Sequence, residues 1–219
     1  MVRWFPQFLK TFAVLADTNE LSGIVLSRDP AWERFLRIRI FDQVLGLKAA
    51  LFSLPGKSTQ KSIPPDLFDD VNCLLNPNHT QLSIPFVTDF QRAFSYRALA
   101  IDPLIFLTAS QIARFYLING DHLLEPAPRL KLLRSSLDSF QRAQVPQVVL
   151  LKLLYCFARD EGLPVRESWL AGLPRRLSLH AQEVLGLPVD RAMIELSVIN
   201  EILESLRNWM NSETELRVE

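Results

Sequence analysis

Proline stands at the start of several apolar runs, and this placement strongly constrains how the chain can fold. Asp29-Pro30 precedes one such run, Asp102-Pro103 precedes another, and Pro146 opens a third. An aspartate side chain can cap the first turn of a helix. Proline fits the first helical position because no backbone N–H is needed there. Each of these sites therefore predicts the start of a helix.

The tripeptide Gly-Leu-Pro occurs three times near the C-terminal end, beginning at Gly162, Gly172 and Gly186. Glycine just past a helix end can adopt a positive φ, and the proline that follows prevents the helix from continuing. The two spacings differ, so the copies do not form a fixed repeat. We interpret each copy as a corner between helices, with the glycine at positive φ.

These signals together predict an all-α fold of about ten helices, with bounds good to about 2–4 residues. The predicted helices cover approximately 6–16, 30–52, 65–75, 86–99, 103–118, 128–142, 146–160, 164–171, 174–185 and 188–210. We expect one compact, irregular bundle over 1–219, with a flexible loop near 54–65 and a frayed tail after 211. The even spacing of helix starts leaves open a short α-solenoid of antiparallel helix pairs.

Charge and cysteine content indicate the class of protein. Lys plus Arg equals Asp plus Glu at 24 each, and this zero net charge argues against a dedicated nucleic-acid binder. The two cysteines stand in apolar surroundings, which is typical of buried thiols in the reducing cytoplasm. No uncharged run reaches the ~20 residues of a membrane span. An amphipathic helix at 6–16 could touch a membrane surface, but docking on the protein core is favoured.

We assign no residue to catalysis, to a cofactor or to a metal. Gly56-Lys57-Ser58 looks like the end of a phosphate loop, but Leu51 stands where that loop needs its first glycine. The three histidines are far apart, and none has a second ligand at metal-binding spacing. A helix-turn-helix over 158–168 fails because Ser168 stands where an aliphatic residue is required. An enzyme whose site is assembled from distant residues remains an alternative.

Two surfaces are candidates for contact with a partner, although packing inside the chain is the favoured interpretation for both. Aromatic and arginine side chains are enriched at interfaces, and a helix over 86–99 would place three of them on one face. The last predicted helix carries a regular apolar stripe. The candidate interface residues are Phe90, Phe94, Arg97, Leu203, Leu206, Trp209 and Met210.

By elimination, the sequence favours a non-catalytic protein-protein interaction module. Such a module would act as an adaptor, an assembly factor or a subunit of a larger complex, and its partner would be another protein or a second copy. The first alternative is a helical ligand-binding or regulatory domain, with a cavity between its helices for a small molecule.

Overall fold

A closed five-stranded barrel forms the first part of the computed structural model, which describes residues 19–54, 63–76 and 84–219. Its strands are β1 (Glu20–Trp32), β2 (Phe35–Asp42), β3 (Gly46–Ser53), β4 (Asp69–Asn76) and β5 (Phe86–Ser95). The order around the barrel is β1-β2-β3-β5-β4, and β4 closes onto β1. All pairings are antiparallel except β3 with β5. This arrangement is that of the OB-fold type of Greek-key barrel.

The predicted all-α fold is wrong, and so is the α-solenoid. The predicted helix at 30–52 covers the end of β1, all of β2 and all but the last residue of β3, while those at 65–75 and 86–99 fall on β4 and β5. Pro30 lies near the end of β1, where the register with β2 shifts, and proline is tolerated at such a bulge. The predicted helix at 6–16 and most of the predicted loop lie outside the described residues.

The second part of the chain is helical, as predicted. Helices α1 (Pro103–Asn119) and α3 (Pro146–Asp160) confirm the predictions at 103–118 and 146–160. The Asp102 cap is also confirmed, since its Oδ1 accepts from the N–H groups of Leu104 at 2.8 Å and Ile105 at 3.1 Å. The remaining helical segments are α2 (Pro126–Ser139), a π-helical stretch (Val165–Leu170), α4 (Arg175–Gly186), α5 (Leu196–Glu213) and two short 3-10 turns, Arg97–Ile101 and Gly120–His122.

The corners at Gly-Leu-Pro are only partly as expected. Gly162 has a φ of 75° just after α3, which confirms the predicted left-handed stop. Gly172 and Gly186 do not have positive φ, and Gly186 is still the last residue of α4. The last predicted helix was also placed too early, because α5 begins at Leu196 and not near 188.

The barrel and the helices share part of their packing. One apolar cluster fills the barrel interior, where Val25, Ile38 and Ile40 are fully buried. A second, larger cluster is centred on the helices, and it also takes in Phe41 and other barrel side chains. The Phe41 ring lies 4.9 Å from the Tyr116 ring of α1. The barrel is therefore packed onto the helical part through the outer side of β1, β2 and β3.

Helix α3 is central, as predicted, since most of its side chains from Val148 to Ala158 are buried in the helical core. Within residues 19–54, 63–76 and 84–219, no helix has the length and apolar character needed to cross a bilayer.

Candidate functional site

Three cross-strand pairs form a row on the outer face of β1 and β2, and we call this row the outer ladder. Residues opposite each other in an antiparallel pair have neighbouring side chains on the same face of the sheet. The first pair is aromatic, the second is ionic and the third is polar. From the hairpin inward they are Trp32 with Phe35, Asp29 with Arg37, and Ser27 with Arg39.

Two irregularities in β1 set which of its side chains face outward. Side chains alternate between the faces of a strand, and one inserted residue reverses that alternation. The register of β1 with β2 shifts between Val25 and Ser27, and again between Pro30 and Trp32. Val25 therefore packs inside the barrel while Ser27 faces outward. The second shift places Trp32 on the same outer face.

The polar pairs of the outer ladder are connected to each other. Arg39 Nε donates to Ser27 Oγ at 2.9 Å, and Ser27 Oγ donates to Asp29 Oδ2 at 3.4 Å. The same Asp29 oxygen lies 3.6 Å from Arg37 Nη2. Arg34, in the hairpin that joins the two strands, is exposed. The three arginines exceed the nearby carboxylates Asp29 and Glu33 by one charge.

The aromatic pair lies at the open end of the ladder. Trp32 is 58% exposed, and its ring centre is 6.2 Å from that of Phe35. Phe35 in turn lies 5.3 Å from the ring of Phe86, which begins β5. A flat, solvent-exposed ring beside guanidinium groups can stack on a planar ligand while the cations bind its anionic part.

The helices leave this end of the barrel accessible. Farther along the same outer face of β2 and β3, Phe41 and Leu47 are buried against Tyr116 and Gly120. Trp32 and Arg37, in contrast, are 58% and 48% exposed. The outer face is thus divided into a covered apolar half and an accessible half that carries the outer ladder.

The first set of predicted interface residues lies on β5 and the turn after it, so the helical face assumed for them does not exist. Phe90 is half-buried and its ring is 5.4 Å from that of Phe52 in the barrel interior. Phe94 is 50% exposed, near the end of the strand, and lies 4.8 Å from Tyr96. Arg97 is exposed. Phe94 and Arg97 remain accessible to a partner.

The second set lies in the core of the helical part. Leu203, Leu206 and Met210 are buried on the inner side of α5. Trp209 is partly buried, and its Nε1 donates to Ser168 Oγ at 3.0 Å. The C-terminal stripe therefore stabilises the chain itself.

A cavity of about 370 Å³ lies between the end of α1, the segment that follows α3 and the residues after α5. Its lining is mixed, with Glu161, Glu215 and Arg217 beside apolar residues. The Glu161 carboxylate already accepts from Arg129 Nε at 2.5 Å. Within the part of the chain that the structure describes, no three His, Cys, Asp or Glu side chains are placed to hold a metal ion. Two carboxylates thus line the cavity, and one of them, Glu161, is already paired.

The tail that was expected to fray has defined contacts. Asn119 Nδ2 donates to Arg217 O at 2.9 Å, and Arg217 N donates to Asn119 Oδ1 at 2.9 Å. Val218 makes a similar pair of bonds with Asn211. These bonds place the tail along one wall of the cavity.

The outer ladder was missed at the sequence level, although its signal is present. Leu36, Ile38 and Ile40 alternate with Arg37 and Arg39, which is the period-two pattern of a half-buried strand.

Comparison with known proteins adds no assignment, because no protein-family model and no curated protein sequence matches the chain.

Proposed function

We propose that this protein binds single-stranded nucleic acid on the outer ladder. The observation that carries the proposal is an exposed tryptophan on the same accessible face of an OB-type barrel as Arg37 and Arg39, with the exposed Arg34 in the adjoining hairpin. Proteins that bind single strands combine cationic side chains, which contact the phosphates, with aromatic rings on which bases stack. Oligonucleotides commonly bind OB barrels across the second and third strands and the loop between the first two.

The zero net charge of the chain does not oppose this proposal, because binding depends on the charge that faces the phosphates. Arg37 and Arg39 lie on one face and Arg34 lies in the hairpin next to it, whereas several other arginines are paired in other parts of the molecule. Arg134, for example, contacts both oxygens of Asp70 at the junction with α2. A net charge of zero sums all the charges of the chain and leaves a local basic patch possible.

Substitution of Trp32 by alanine tests the aromatic part of the site. We expect a 5- to 150-fold rise in Kd for a fluorescein-labelled oligothymidylate, since stacking contributes about 1–3 kcal/mol per base. Fluorescence anisotropy measures the Kd. Phe94→Ala is the matched control, since Phe94 is also a half-exposed aromatic residue of the barrel but lies off the ladder. Equal affinity of wild type and Trp32→Ala would refute the assigned site.

Substitution of Arg37 by alanine tests the cationic part. Each phosphate contact to a single strand contributes about 0.7 to the slope of log K against log salt. We therefore expect Arg37→Ala to reduce the slope by about 0.7. Arg176→Ala is the control, because Arg176 is exposed and pairs with Glu201 on the helical part. An unchanged slope would mean that Arg37 does not contact the strand.

A second candidate function, self-association, is supported by an apolar patch near the start of α1. Ile101 is 84% exposed, Leu107 is 57% exposed and Leu104 is 40% exposed, and Phe94 and Arg97 precede them in the chain. Exposed apolar patches of this kind commonly mark protein contacts. We propose that a second copy of the chain covers this patch in a two-fold dimer.

Sedimentation equilibrium tests the self-association. Wild type is expected to show a dimer that Leu104→Ser with Leu107→Ser abolishes. Trp32→Ala is the control and should leave the dimer intact. A monomeric wild type at all accessible concentrations would exclude the dimer.

We also propose that the protein is located in the cytoplasm, and the free thiols of Cys73 and Cys156 support this location.

A further inference from the structure

We infer that Asp29 is an internal competitor of nucleic-acid phosphate on the outer ladder. In the free protein the Asp29 carboxylate pairs with the Arg37 guanidinium. When a strand binds, a phosphate takes the place of that carboxylate. The inference rests on the proposed function, and it assigns to one acidic residue the control of affinity at that site.

The Asp29–Arg37 pair is loose compared with other ion pairs of the barrel. Its closest N–O distance is 3.6 Å, and the two side chains are 43% and 48% exposed. Arg92 contacts Asp69 at 2.7 Å, and that carboxylate is fully buried. Exposed pairs contribute little to stability and exchange readily with water and ions. The Asp29 contact can therefore be released at little cost to the fold.

The position of Asp29 couples both arginine pairs of the ladder. Asp29 Oδ2 faces Arg37 Nη2 and also accepts from Ser27 Oγ, which itself accepts from Arg39 Nε. A phosphate oxygen is an acceptor of the same charge sign and a similar size. An arginine guanidinium binds phosphate through the same N–H groups that it offers to a carboxylate.

Asp29 thus weakens the attraction between the ladder and a polyanion in two ways. It neutralises Arg37 before binding, and it faces the incoming phosphate with a like charge. Removing this charge while keeping the shape should strengthen binding. For a pair as exposed as this one, we expect Asp29→Asn to lower the Kd about two- to fivefold. Arg37 contacts the phosphate in both wild type and Asp29→Asn once the strand is bound, so the salt slope should be similar in the two proteins.

Asp66→Asn is the matched control for this test. Asp66 pairs with Arg28 of the same strand β1, with exposures of 44% and 40%. Arg28 is in register with Ile38, whose side chain points into the barrel, so this pair lies off the ladder. The control adds the same single charge to the same barrel. An equal gain of affinity in both variants would mean a general charge effect and would overturn the inference.

The experiment is a salt series of oligothymidylate binding with wild type, Asp29→Asn, Asp66→Asn, Arg37→Ala and Asp29→Asn/Arg37→Ala. We expect the Asp29→Asn gain to shrink clearly when Arg37 is absent, because the two residues then act through one contact. If wild type binds and Asp29→Asn binds no more tightly, this inference is overturned while the proposed function stands. No binding by any variant overturns the proposed function and the inference with it. Binding by Asp29→Asn alone supports strong competition.

Discussion

The barrel and the helical part differ in what they leave outside their cores. Each barrel strand buries one face in the barrel interior, and its other face is not fully covered, so β2 buries Ile38 and Ile40 while Arg37 is exposed and Arg39 half-buried. Helix α3, in contrast, is surrounded by other helices and buries most of its side chains. A half-exposed strand can carry a binding surface without losing its packing, while a central helix cannot.

The two parts also depend on each other unequally. The helical part has one continuous core. The barrel has an interior of its own, but it also contributes side chains such as Phe41, Leu47 and Phe68 to the helical core. The barrel interior is the smaller of the two clusters. We therefore expect the barrel to open only when the helical part does.

The two cysteines of the chain lie one in each part and allow this comparison to be tested. Cys73 in β4 is 2% exposed, while Cys156 in α3 is half-buried. Burial, and next to it the charge of Asp89, raises the pKa of Cys73 to about 12. If barrel opening costs about 5 kcal/mol, native Cys73 reacts several thousandfold more slowly than in the unfolded chain.

Labelling with Ellman's reagent in the variants Cys156→Ser and Cys73→Ser measures each thiol separately. Cys156 should react faster than Cys73, although burial also raises its pKa. Equally fast reaction of both thiols would show that the barrel opens while the helices stay folded. That result would break the dependence of the barrel on the helical part.

Truncation of Phe157 to alanine should have the largest effect on stability. Its ring packs 4.8 Å from Phe115 and 5.6 Å from Tyr116, and the Arg129 guanidinium lies 5.1 Å from its centre. Loss of a fully buried phenylalanine costs about 3–5 kcal/mol in the free energy of unfolding. Urea titration measures the loss, and Phe94→Ala should cost much less. Two separate transitions in the variant would show that the two parts unfold independently.

The helical part could be predicted from the sequence because its signals are local. Asp102-Pro103 and Pro146 mark helix starts by capping chemistry that acts within one turn, and both starts are correct. The same reasoning failed at Asp29-Pro30. There, proline is accommodated by a bulge whose geometry depends on pairing with Leu36 in another strand. Strand pairing is non-local, so capping rules carry no information about it.

The candidate site was partly within reach of the sequence. The alternation from Phe35 to Phe41 identifies a strand and also which of its residues face outward. The partners Ser27, Asp29 and Trp32 were not predictable, because two bulges in β1 decide that these residues share one face. The apolar stripe of α5 was identified from the sequence, but a stripe alone does not indicate which surface covers it.

The junction between the two parts is sensitive to the shape of one side chain. Arg134 of α2 donates from Nε and Nη2 to the two oxygens of Asp70 in β4, each at 2.7 Å. Lysine keeps the charge but lacks this fork. We expect Arg134→Lys to cost about 1–2 kcal/mol in unfolding free energy, since the pair is only partly buried. Arg159→Lys is the control, because Arg159 pairs with its neighbour Asp160 at the surface.

A sharper readout follows from the labelling experiment. If the Arg134–Asp70 pair couples the barrel to the helical part, Arg134→Lys should raise the labelling rate of Cys73. The rise should be at least the factor that corresponds to the loss of unfolding free energy. A loss of stability without any change at Cys73 would show that the pair stabilises α2 alone. The barrel would then be independent of this contact.

The smallest expected effect, at low pH, concerns the exposed ion pair between Arg28 and Asp66 on the rim of the barrel. Partial burial of Asp66 disfavours its charged form, but the N–H of Leu67 and the guanidinium of Arg28 outweigh it. The pKa of Asp66 therefore lies below its ordinary value of 3.8. Its stabilisation is fully present above that value and is lost as pH falls through the folded-state pKa. Because the pair is exposed, Asp66→Asn should cost only about 0.2–1 kcal/mol near neutral pH.

Urea titrations of wild type and Asp66→Asn between neutral pH and pH 3 test this prediction. The difference in unfolding free energy should be constant at neutral pH and should shrink as Asp66 becomes protonated. Since Arg28 and Asp66 lie off the outer ladder, the variant should keep the oligothymidylate affinity of wild type within the effect of one added charge. A difference that grows on acidification would mean that protonation, and not ionisation, of Asp66 is favoured by the fold. The rim would then resemble a buried acidic site and not the solvent-exposed edge of the barrel.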